Sequence, residues 1–275
     1  MSSKTARIQT LISRVQKIGL RSTKVAAQEQ TLVCDGQRHF RVASYNIHKC
    51  IGTDGVYDPA RTAAVIAELD ADFVALQEAD RRFGSRDGRL NLGQLERETG
   101  LQLVPLAVRP TSHGWHGNAL FARRGLLRRV ERIALPHAEP RGAVLAEFDI
   151  NGQSLRIIAA HLGLLSHWRR QQLQALRVAA SSGPAMPTLL VGDFNEWRPR
   201  RNDSPLDRLQ PFFGPADRHH PSFPSRRPIF PLDRIFGSPN GLIQHFEVHE
   251  SPLARLASDH LPVKAVIDLA ASSSS

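Results

Sequence analysis

The chain has 275 residues, 41% of them hydrophobic, and a formal net charge of +10 at pH 7, so it can bury a full core as one large domain or two small ones. Its two cysteines, Cys34 and Cys50, stand outside any CxxC motif, which excludes a disulfide framework and a structural zinc site and favours a cytoplasmic protein. The sequence has no run of 18 apolar residues and no apolar N-terminal segment, so it predicts neither a transmembrane helix nor a secretory signal.

The first predicted element is a basic leader, residues 1–38. It carries seven basic residues against two acidic ones, which is half of the net charge of the chain. Its apolar residues recur at helical spacing: Ile8, Leu11, Ile12, Val15 and Ile18. One interpretation is a plain surface helix or a frayed arm. The other is an amphipathic helix that places residues 1–30 on an anionic membrane, at its inner face, or on a partner. The sequence indicates no obligate protein partner.

Residues 39–269 alternate strand-sized apolar segments with helical patterns. The predicted strands lie at residues 40–45, 73–76, 119–122, 143–150, 155–160, 187–191, 232–236 and 261–269. Helices are predicted from Asp58-Pro59 to residue 69 and over residues 167–180. Many strands with few helices favour an α/β sandwich of two packed sheets flanked by helices. Residues 198–231 are predicted to form a long surface loop, and residues 270–275 a disordered polar tail.

A carboxylate and a carboxamide follow the apolar run at residues 189–191, in the sequence Gly192-Asp193-Phe194-Asn195. Side chains two apart on a strand point the same way, so Asp193 and Asn195 would face one pocket. A charged group beside a neutral donor and acceptor suits a site that holds a phosphate, a hard cation and a water. The alternative is a strand end followed by an Asx turn.

The same arrangement recurs at other predicted strands, whose edges carry Asn, Asp, Glu or His. The segments are SYNIH at 44–48, LQE at 76–78, HGN at 116–118, AAHLG at 159–163, LDR at 232–234 and SDH at 258–260. Strand ends on one side of a sheet are where ligands usually bind. The GxSxG, GxxxxGK[ST] and HExxH motifs of competing chemistries are missing from the sequence. The Asn and carboxylate content favours a hard ion, Mg²⁺ or Mn²⁺.

This ordered set resembles the endonuclease/exonuclease/phosphatase superfamily, which includes pancreatic deoxyribonuclease, abasic-site endonucleases, neutral sphingomyelinases and inositol-polyphosphate 5-phosphatases. The resemblance spans about residues 40–269 and is carried by Asn46, Glu78, His161, the GDFN element, Asp233 and the SDH element. The finer pattern looks closest to a poorly characterised bacterial branch: YNIHK, HGNAL, RGAV, HLGL, GDFNEW, PLDRI and SDHLP. The resemblance implies a deoxyribonuclease I-like fold, a four-layered α/β sandwich, with residues 39–269 as the catalytic domain.

The resemblance also implies a divalent metal cofactor, Mg²⁺ or Mn²⁺, and its ligands. Glu78 would be the principal ligand, with Asn46 beside it. Asp259 would help hold the metal or the water. His48 lies where some nuclease members of the family have an acidic neighbour of the metal, so we place it among the substrate-side residues instead.

The catalytic roles follow from the same resemblance. Asp193 would orient or deprotonate the attacking water, and Asn195 would hydrogen-bond the phosphate. His260, polarised by Asp233, would contact the phosphate and stabilise its developing charge, because an Asp partner favours the protonated imidazole. His161 would be a second phosphate-facing imidazole near the leaving group.

On the substrate side, Asn118 and Arg141 join His48 as candidates; Arg141 would pin a phosphate oxygen or form a structural salt bridge. The implied activity is metal-assisted, in-line attack of water on a phosphoester, first of all by a nuclease-like phosphodiesterase. The alternatives are a membrane-associated phospholipid phosphodiesterase and an inositol- or sugar-phosphate phosphatase. A more distant one is a non-catalytic phosphate-binding or membrane-docking protein. Nucleic acid and phospholipid head groups both stay open as partners, because the modest charge of the core does not demand DNA.

Overall fold

The computed structural model describes residues 22–25, 39–81, 84–136, 140–197, 204–210, 212–214 and 220–270. The predicted leader helix, the tail beyond residue 270 and parts of the predicted loop at 198–231 lie outside these residues, so they stay predictions. No helix in the described ranges has the length and apolar character needed to cross a membrane.

The strands of the described ranges form two six-stranded sheets. In chain order they are β1 (Ser22–Val25), β2 (His39–Asn46), β3 (Phe73–Gln77), β4 (Gln102–Leu103), β5 (Ala119–Ala122), β6 (Leu126–Ala134), β7 (Gly142–Ile150), β8 (Gln153–His161), β9 (Thr188–Asp193), β10 (Asp233–Ser238), β11 (Ile243–Val248) and β12 (Val263–Asp268). The first sheet has the order β1-β6-β7-β8-β9-β10, and the second has the order β11-β12-β2-β3-β5-β4. Both sheets are mixed, because β2 runs parallel to β3 and β8 runs parallel to β9. Strand β1 joins part of the predicted leader to the first sheet.

Helices cover the outer faces of the two sheets. They are α1 (Pro59–Leu69), α2 (Leu92–Thr99), α3 (Ser166–Ser181) and α4 (Pro252–Ala257). Helix α1 begins as the sequence predicts: the side chain of Asp58 accepts a hydrogen bond from the backbone N–H of Arg61 at 2.9 Å, and Pro59 opens the first turn. The apolar faces of α1, α2 and α4 pack on the second sheet, and that of α3 packs on the first.

The main core lies between the two sheets, whose inner faces are lined by buried aliphatic and aromatic residues. Phe73 of β3 and Phe148 of β7 meet across it, with ring centroids 5.0 Å apart. The layers are therefore helix, sheet, sheet and helix. This confirms the predicted four-layered α/β sandwich.

Periodicity missed the strands β1, β4, β6 and β11 and the helices α2 and α4. Strand β6 carries arginine and glutamate on a half-buried face, where Arg129 pairs with Glu131 of the same strand and with Glu147 of β7. Strand β11 has no fully buried residue. An apolar run marks a strand only where both faces are covered, so these polar strands gave no such signal.

One edge of the sandwich collects the polar strand ends. The parallel pairs finish side by side, with Asn46 opposite Gln77 and His161 opposite Asp193. The antiparallel strand β10 begins at the same edge, with Asp233 opposite Asp193. The side chain of Asn46 reaches that of Asp193 at 3.0 Å, so the edges of both sheets meet there. This edge is the frame of the site.

We expect Gly192→Ala to destabilise the protein by more than about 3 kcal/mol, above the usual cost of overpacking a core. Gly192 has φ +143°, and a Cβ there would lie 1.8 Å from the carbonyl oxygen of Ala160 on the neighbouring strand β8. Gly93→Ala is the matched control. Its new Cβ would come no closer than 3.4 Å to the flexible end of Arg97, so the helix should gain roughly 0.5–1 kcal/mol. Urea unfolding of both variants checks the prediction, and equal stability of the two would contradict it.

Candidate active site

Several non-glycine residues with left-handed backbone lie at this edge or in the loops beside it. Their φ angles fall between +44° and +60°, a region that ordinary residues adopt only where the surrounding structure enforces it. They are His48, Lys49, Cys50, Glu78, His116 and Asn195. Such strain concentrates at functional sites, because it aims side chains in directions that a relaxed strand end would not allow.

Asp193 lies at the centre of the cluster, at the end of β9, with 1% of its surface exposed. Its Oδ1 accepts the backbone N–H of Asn195 at 2.9 Å. Its Oδ2 accepts the amide of Asn46 at 3.0 Å and lies 3.3 Å from Nε2 of His161 and 3.8 Å from Nε2 of His260. Four groups from both sheets therefore hold this one carboxylate.

Burial raises the pKa of Asp193 to about 6, although the positive charge of His260 opposes the effect. A carboxyl with this pKa is ionised at neutral pH and is a stronger base than an ordinary Asp. Groups with a pKa near the working pH are the most effective general bases. The environment of Asp193 therefore suits the orientation or deprotonation of a water molecule.

His260 is held by Asp233 on the side away from Asp193. The Nδ1 of His260 lies 2.8 Å from Oδ2 of Asp233, and the same oxygen accepts the hydroxyl of Ser222 at 2.6 Å. The ring of Phe223 lies against the imidazole, with 4.8 Å between centroids. Because Asp233 fixes the orientation of the ring, Nε2 of His260 is left to face Asp193.

Burial alone would lower the pKa of His260, but the carboxylates of Asp233 and Asp193 outweigh it and raise the pKa to about 10. The ring is therefore an imidazolium at neutral pH. A buried, oriented positive charge of this kind stabilises negative charge that develops on a bound group.

We expect Asp233→Asn to lower the free energy of unfolding by about 3 kcal/mol at pH 7, the usual result of breaking a buried ion pair. A folded-state pKa of about 10 lies above the ordinary value of 6.5. The pair with His260 therefore stabilises fully below pH 6.5, and that contribution is lost as the pH rises through about 10. Urea unfolding of wild type and variant at pH 6, 8 and 10 should show the difference shrinking. A penalty that stays constant across this range would rule out the imidazolium.

His161 lies at the end of β8, buried between Asp193 and Arg141. Its Nδ1 lies 3.0 Å from Nη1 of Arg141. A guanidinium only donates, so Nδ1 accepts and the ring proton lies on Nε2, facing Asp193. The structure thus brings the predicted residues Asp193, His260, Asp233 and His161 into one cluster of hydrogen bonds and ion pairs, with Arg141 at its border.

Glu78 follows β3 directly and forms an ion pair with the ammonium of Lys49. Burial raises the pKa of Glu78, but Lys49, with His48 and Arg141, outweighs burial and lowers it. The carboxylate is therefore ionised and already faces a cation. Lys49 is a partner that the sequence analysis missed, although it stands next to His48 in the YNIHK motif.

Asn46 connects Asp193 with the third predicted metal residue, Asp259, through His48. Its Oδ1 accepts the backbone N–H of His48 at 3.1 Å. The Nδ1 of His48 lies 3.1 Å from the carbonyl oxygen of Ile51 and 3.8 Å from Oδ1 of Asp259. These residues are neighbours in space, and their metal-binding role stays a prediction.

The side-chain amides of two predicted residues, the catalytic Asn195 and the substrate-side Asn118, bond within the protein. Asn195 donates to the carbonyl of Leu162 at 2.9 Å. Asn118, fully buried, donates to the carbonyls of Gly142 at 2.9 Å and Trp115 at 3.2 Å, which ties the start of β5 to the start of β7. The contacts of both amides with a phosphate stay predictions.

Supporting residues of the cluster also escaped sequence analysis. Ser222 lies in the aperiodic segment before β10, where no pattern marked it. The hydroxyl of Ser258 donates to the carbonyl of Asn46 at 2.7 Å and so joins the SDH element to β2. Glu196 and Arg169, both buried, form an ion pair at 3.1 Å that ties GDFNEW to α3. Glu196, the charged residue inside the GDFNEW motif, was the sequence signal that could have indicated this ion pair.

Among the described His, Cys, Asp and Glu side chains, one group with the spacing of a cation site is Asp193, Asp233 and His260, whose ligand atoms lie within 4.8 Å of one another. A metal needs a neutral imidazole, whereas the raised pKa of His260 keeps its proton at neutral pH. Glu78, which pairs with Lys49, and the amide oxygen of Asn46 offer oxygen donors of the kind that Mg²⁺ or Mn²⁺ prefers.

A cleft of about 260 Å³ opens beside Glu78 and His161. Its walls come from the loop after β3, the loop between β4 and β5, and the segment before β7. We call it the arginine cleft, after the arginines that line it: Arg81, Arg86, Arg109 and Arg141. Arg141 borders both this cleft and the cluster around Asp193.

The helix–sheet–sheet–helix layering, with a polar cluster at the common edge of the sheets, is that of a deoxyribonuclease I-like α/β sandwich. The chain belongs to the Endonuclease/Exonuclease/phosphatase family, whose sequence profile matches residues 43–260. It is 31% identical over 180 residues to the uncharacterized protein YbhP of Escherichia coli strain K12. That match covers 59% of this chain and 66% of YbhP, so the chain spans slightly less than two thirds of the length of this curated relative.

Solved structures share the fold at low sequence identity. Danio rerio TDP2 complexed with a single-strand DNA product is 17% identical with a TM-score of 0.62, covering 84% of this chain and 100% of that one. The mannosyl-6-phosphatase Bt3783 of Bacteroides thetaiotaomicron is 18% identical with a TM-score of 0.62, covering 83% of this chain and 99% of that one. At these identities the likeness establishes the fold alone.

Proposed function

We propose that this protein is a divalent-metal-dependent phosphohydrolase that cleaves a phosphodiester by in-line attack of water. The observation that carries the proposal is the buried pairing of a basic carboxylate with an imidazolium at one sheet edge. The pKa of Asp193 is raised to about 6, and that of His260 to about 10. Hydrolysis of an anionic ester needs a base for the water and a positive charge for the developing anion.

In this mechanism Asp193 accepts the proton of the attacking water or holds the water in line. The backbone N–H of Asn195 and the amide of Asn46 keep the carboxylate in place while it does so. His260 donates from Nε2 to a phosphate oxygen as charge builds on it. His161, with its proton on Nε2, is proposed to assist the leaving oxygen.

The metal in this proposal is Mg²⁺ or Mn²⁺, held by Glu78, Asn46 and Asp259. A bound divalent cation would supply Lewis-acid neutralisation of charge on the phosphoryl group. The ion pair of Glu78 with Lys49 supports the assignment, because this carboxylate is ionised and already stabilises a positive charge.

A diester is our first choice of substrate, and a single-strand DNA product is bound in the related TDP2 structure. A monoester is the second candidate, supported by the mannosyl-6-phosphatase on the same fold. The arginine cleft favours neither by itself, because both kinds of ester carry an anionic phosphate that arginine binds.

The test is a chromogenic assay of bis(p-nitrophenyl) phosphate against p-nitrophenyl phosphate at pH 8. We expect hydrolysis in Mg²⁺ or Mn²⁺, faster for the diester, with loss after chelation by EDTA and recovery when metal is restored. Activity that survives strong chelation would overturn the metal assignment. Faster hydrolysis of the monoester would favour the phosphatase alternative, and hydrolysis of neither ester under any metal would contradict the proposal.

A further inference from the structure

The arginine cleft carries more positive charge than the site beside it needs. Among the described residues that line it, five carry a positive charge, Lys49 and the four arginines, against two carboxylates, from Glu78 and Asp80. Lys49 and Glu78 pair with each other. What remains on the described lining is a concentration of positive charge on Arg81, Arg86 and Arg109.

Asp80 forms no ion pair with these arginines, because hydrogen bonds from the loop between β4 and β5 orient its carboxylate. Its Oδ1 accepts the backbone N–H of His113 at 2.7 Å, and its Oδ2 accepts the hydroxyl of Ser112 at 2.8 Å and the N–H of Gly114 at 3.2 Å. Asp80 is also buried. This carboxylate builds the wall of the cleft rather than pairing with the arginines.

Arg81 and Arg86 have no carboxylate of the described residues within ion-pair distance, and the guanidinium of Arg109 donates to the carbonyl of Gly84 at 3.0 Å. Asp87 lies nearby, where hydrogen bonds from Ser85 and Thr111, and then the charges of Arg81 and Arg109, lower its pKa. One outlying carboxylate does not balance three arginines. The described lining of the cleft therefore presents net positive charge, which attracts anions.

We propose that the arginine cleft binds a second phosphate group of the substrate, so that the natural substrate is a small organic molecule with at least two phosphates. This inference rests on the proposed function, which places the scissile phosphate at Asp193 and His260. Arg141 connects the two positions, since it contacts His161 on one side and lines the cleft on the other. The planar guanidinium groups of Arg81 and Arg86 suit bidentate binding of phosphate oxygens.

The shape of the cleft favours a small molecule over a nucleic acid. A volume of about 260 Å³ is that of a compact pocket, just below the range of about 300–1,000 Å³ that small-molecule sites occupy. Trp115 and Val108 add apolar surface to its lining. A continuous nucleic acid strand would instead require a long basic groove that follows its backbone.

The test is calorimetric titration of the full-length protein in Mg²⁺, with Asp193→Asn in every sample so that no ligand is turned over. The probes are butyl phosphate and the bisphosphates of ethane-1,2-diol, butane-1,4-diol and hexane-1,6-diol, with a thymidine pentanucleotide as the nucleic acid. We expect at least one bisphosphate to bind about tenfold or more tightly than butyl phosphate. Adding Arg81→Gln and Arg86→Gln should remove most of this advantage, whereas adding Arg97→Gln, on exposed helix α2, should preserve it.

Equal affinity for the bisphosphates and butyl phosphate would overturn the inference. So would an arginine-dependent gain seen only with the pentanucleotide, because the cleft would then serve a nucleic acid. The hydrolysis assay of the wild type tests the proposed function independently of these titrations. Hydrolysis without a bisphosphate advantage rejects this inference alone, and a bisphosphate advantage without hydrolysis rejects the proposed function but not the cleft.

Discussion

Asp193→Asn is expected to lower kcat for phosphoester hydrolysis by about 10³-fold, within the range that a general base contributes. The amide keeps the size of the side chain but has no basic oxygen for the water. The variant should remain folded, because removal of a buried charge partly offsets the loss of the ion pairs with His161 and His260. The raised pKa of Asp193 indicates that burial disfavours its charged form, and the neutral amide removes that penalty.

The pH profile of kcat/KM supplies the second measurement for Asp193. The base form is present above the pKa of about 6, so wild-type activity should fall as the pH drops through 6. The residual activity of the variant should lack this fall. Asp149→Asn is the matched control, because Asp149 lies on β7 in a half-exposed pair with Arg128. A wild-type kcat in the Asp193 variant would contradict the assigned role. So would a variant whose activity still falls as the pH drops through 6.

Glu78→Gln is expected to weaken binding of Mn²⁺ by at least about 100-fold, the upper end of what changes around a metal ligand cost. Hydrolysis at a fixed low metal concentration should fall in parallel. The reason is charge: a carboxylate binds a hard divalent cation far better than an amide does. Titration followed by the electron paramagnetic resonance signal of free Mn²⁺ measures this binding without any substrate.

Glu96→Gln, on the exposed surface of α2, is the matched control for Glu78. If the two variants bind Mn²⁺ equally, Glu78 is not a ligand. If Glu78→Gln loses activity while its metal affinity is unchanged, the carboxylate acts on the substrate or through its ion pair with Lys49 instead. Each result separates the metal role from the role of Asp193, whose variant should retain its affinity for Mn²⁺.

The apolar runs and the polar residues that end them were enough to predict the layered fold and the identity of the clustered residues. A strand buried on both faces reads as a continuous apolar run, and a helix begins where Asp58 and Pro59 provide a cap and a first turn. Strands such as β6 and β11 were missed, because their exposed or ion-paired faces break that pattern.

The contacts that the site residues make could be identified only from the tertiary structure. Asn46 and Asp193 are far apart in the chain, and they meet only because the two sheets end at a common edge. The ordinary sequence position of Ser222 gives no sign that its hydroxyl reaches Asp233. Lys49 was visible in its motif, but its ion pair with Glu78 depends on left-handed backbone at both residues.

By itself, the sequence determined the class of fold, the family resemblance and the set of acids, amides and histidines, since periodicity and motif spacing are local properties of the chain. Only the tertiary structure decided the charge states, because the pKa values of Asp193 and His260 depend on burial and on groups from other strands. The tertiary structure also forms the arginine cleft. Arg81, Arg109 and Arg141 come from three separate segments, and their common charge becomes a binding property only where the fold brings them together.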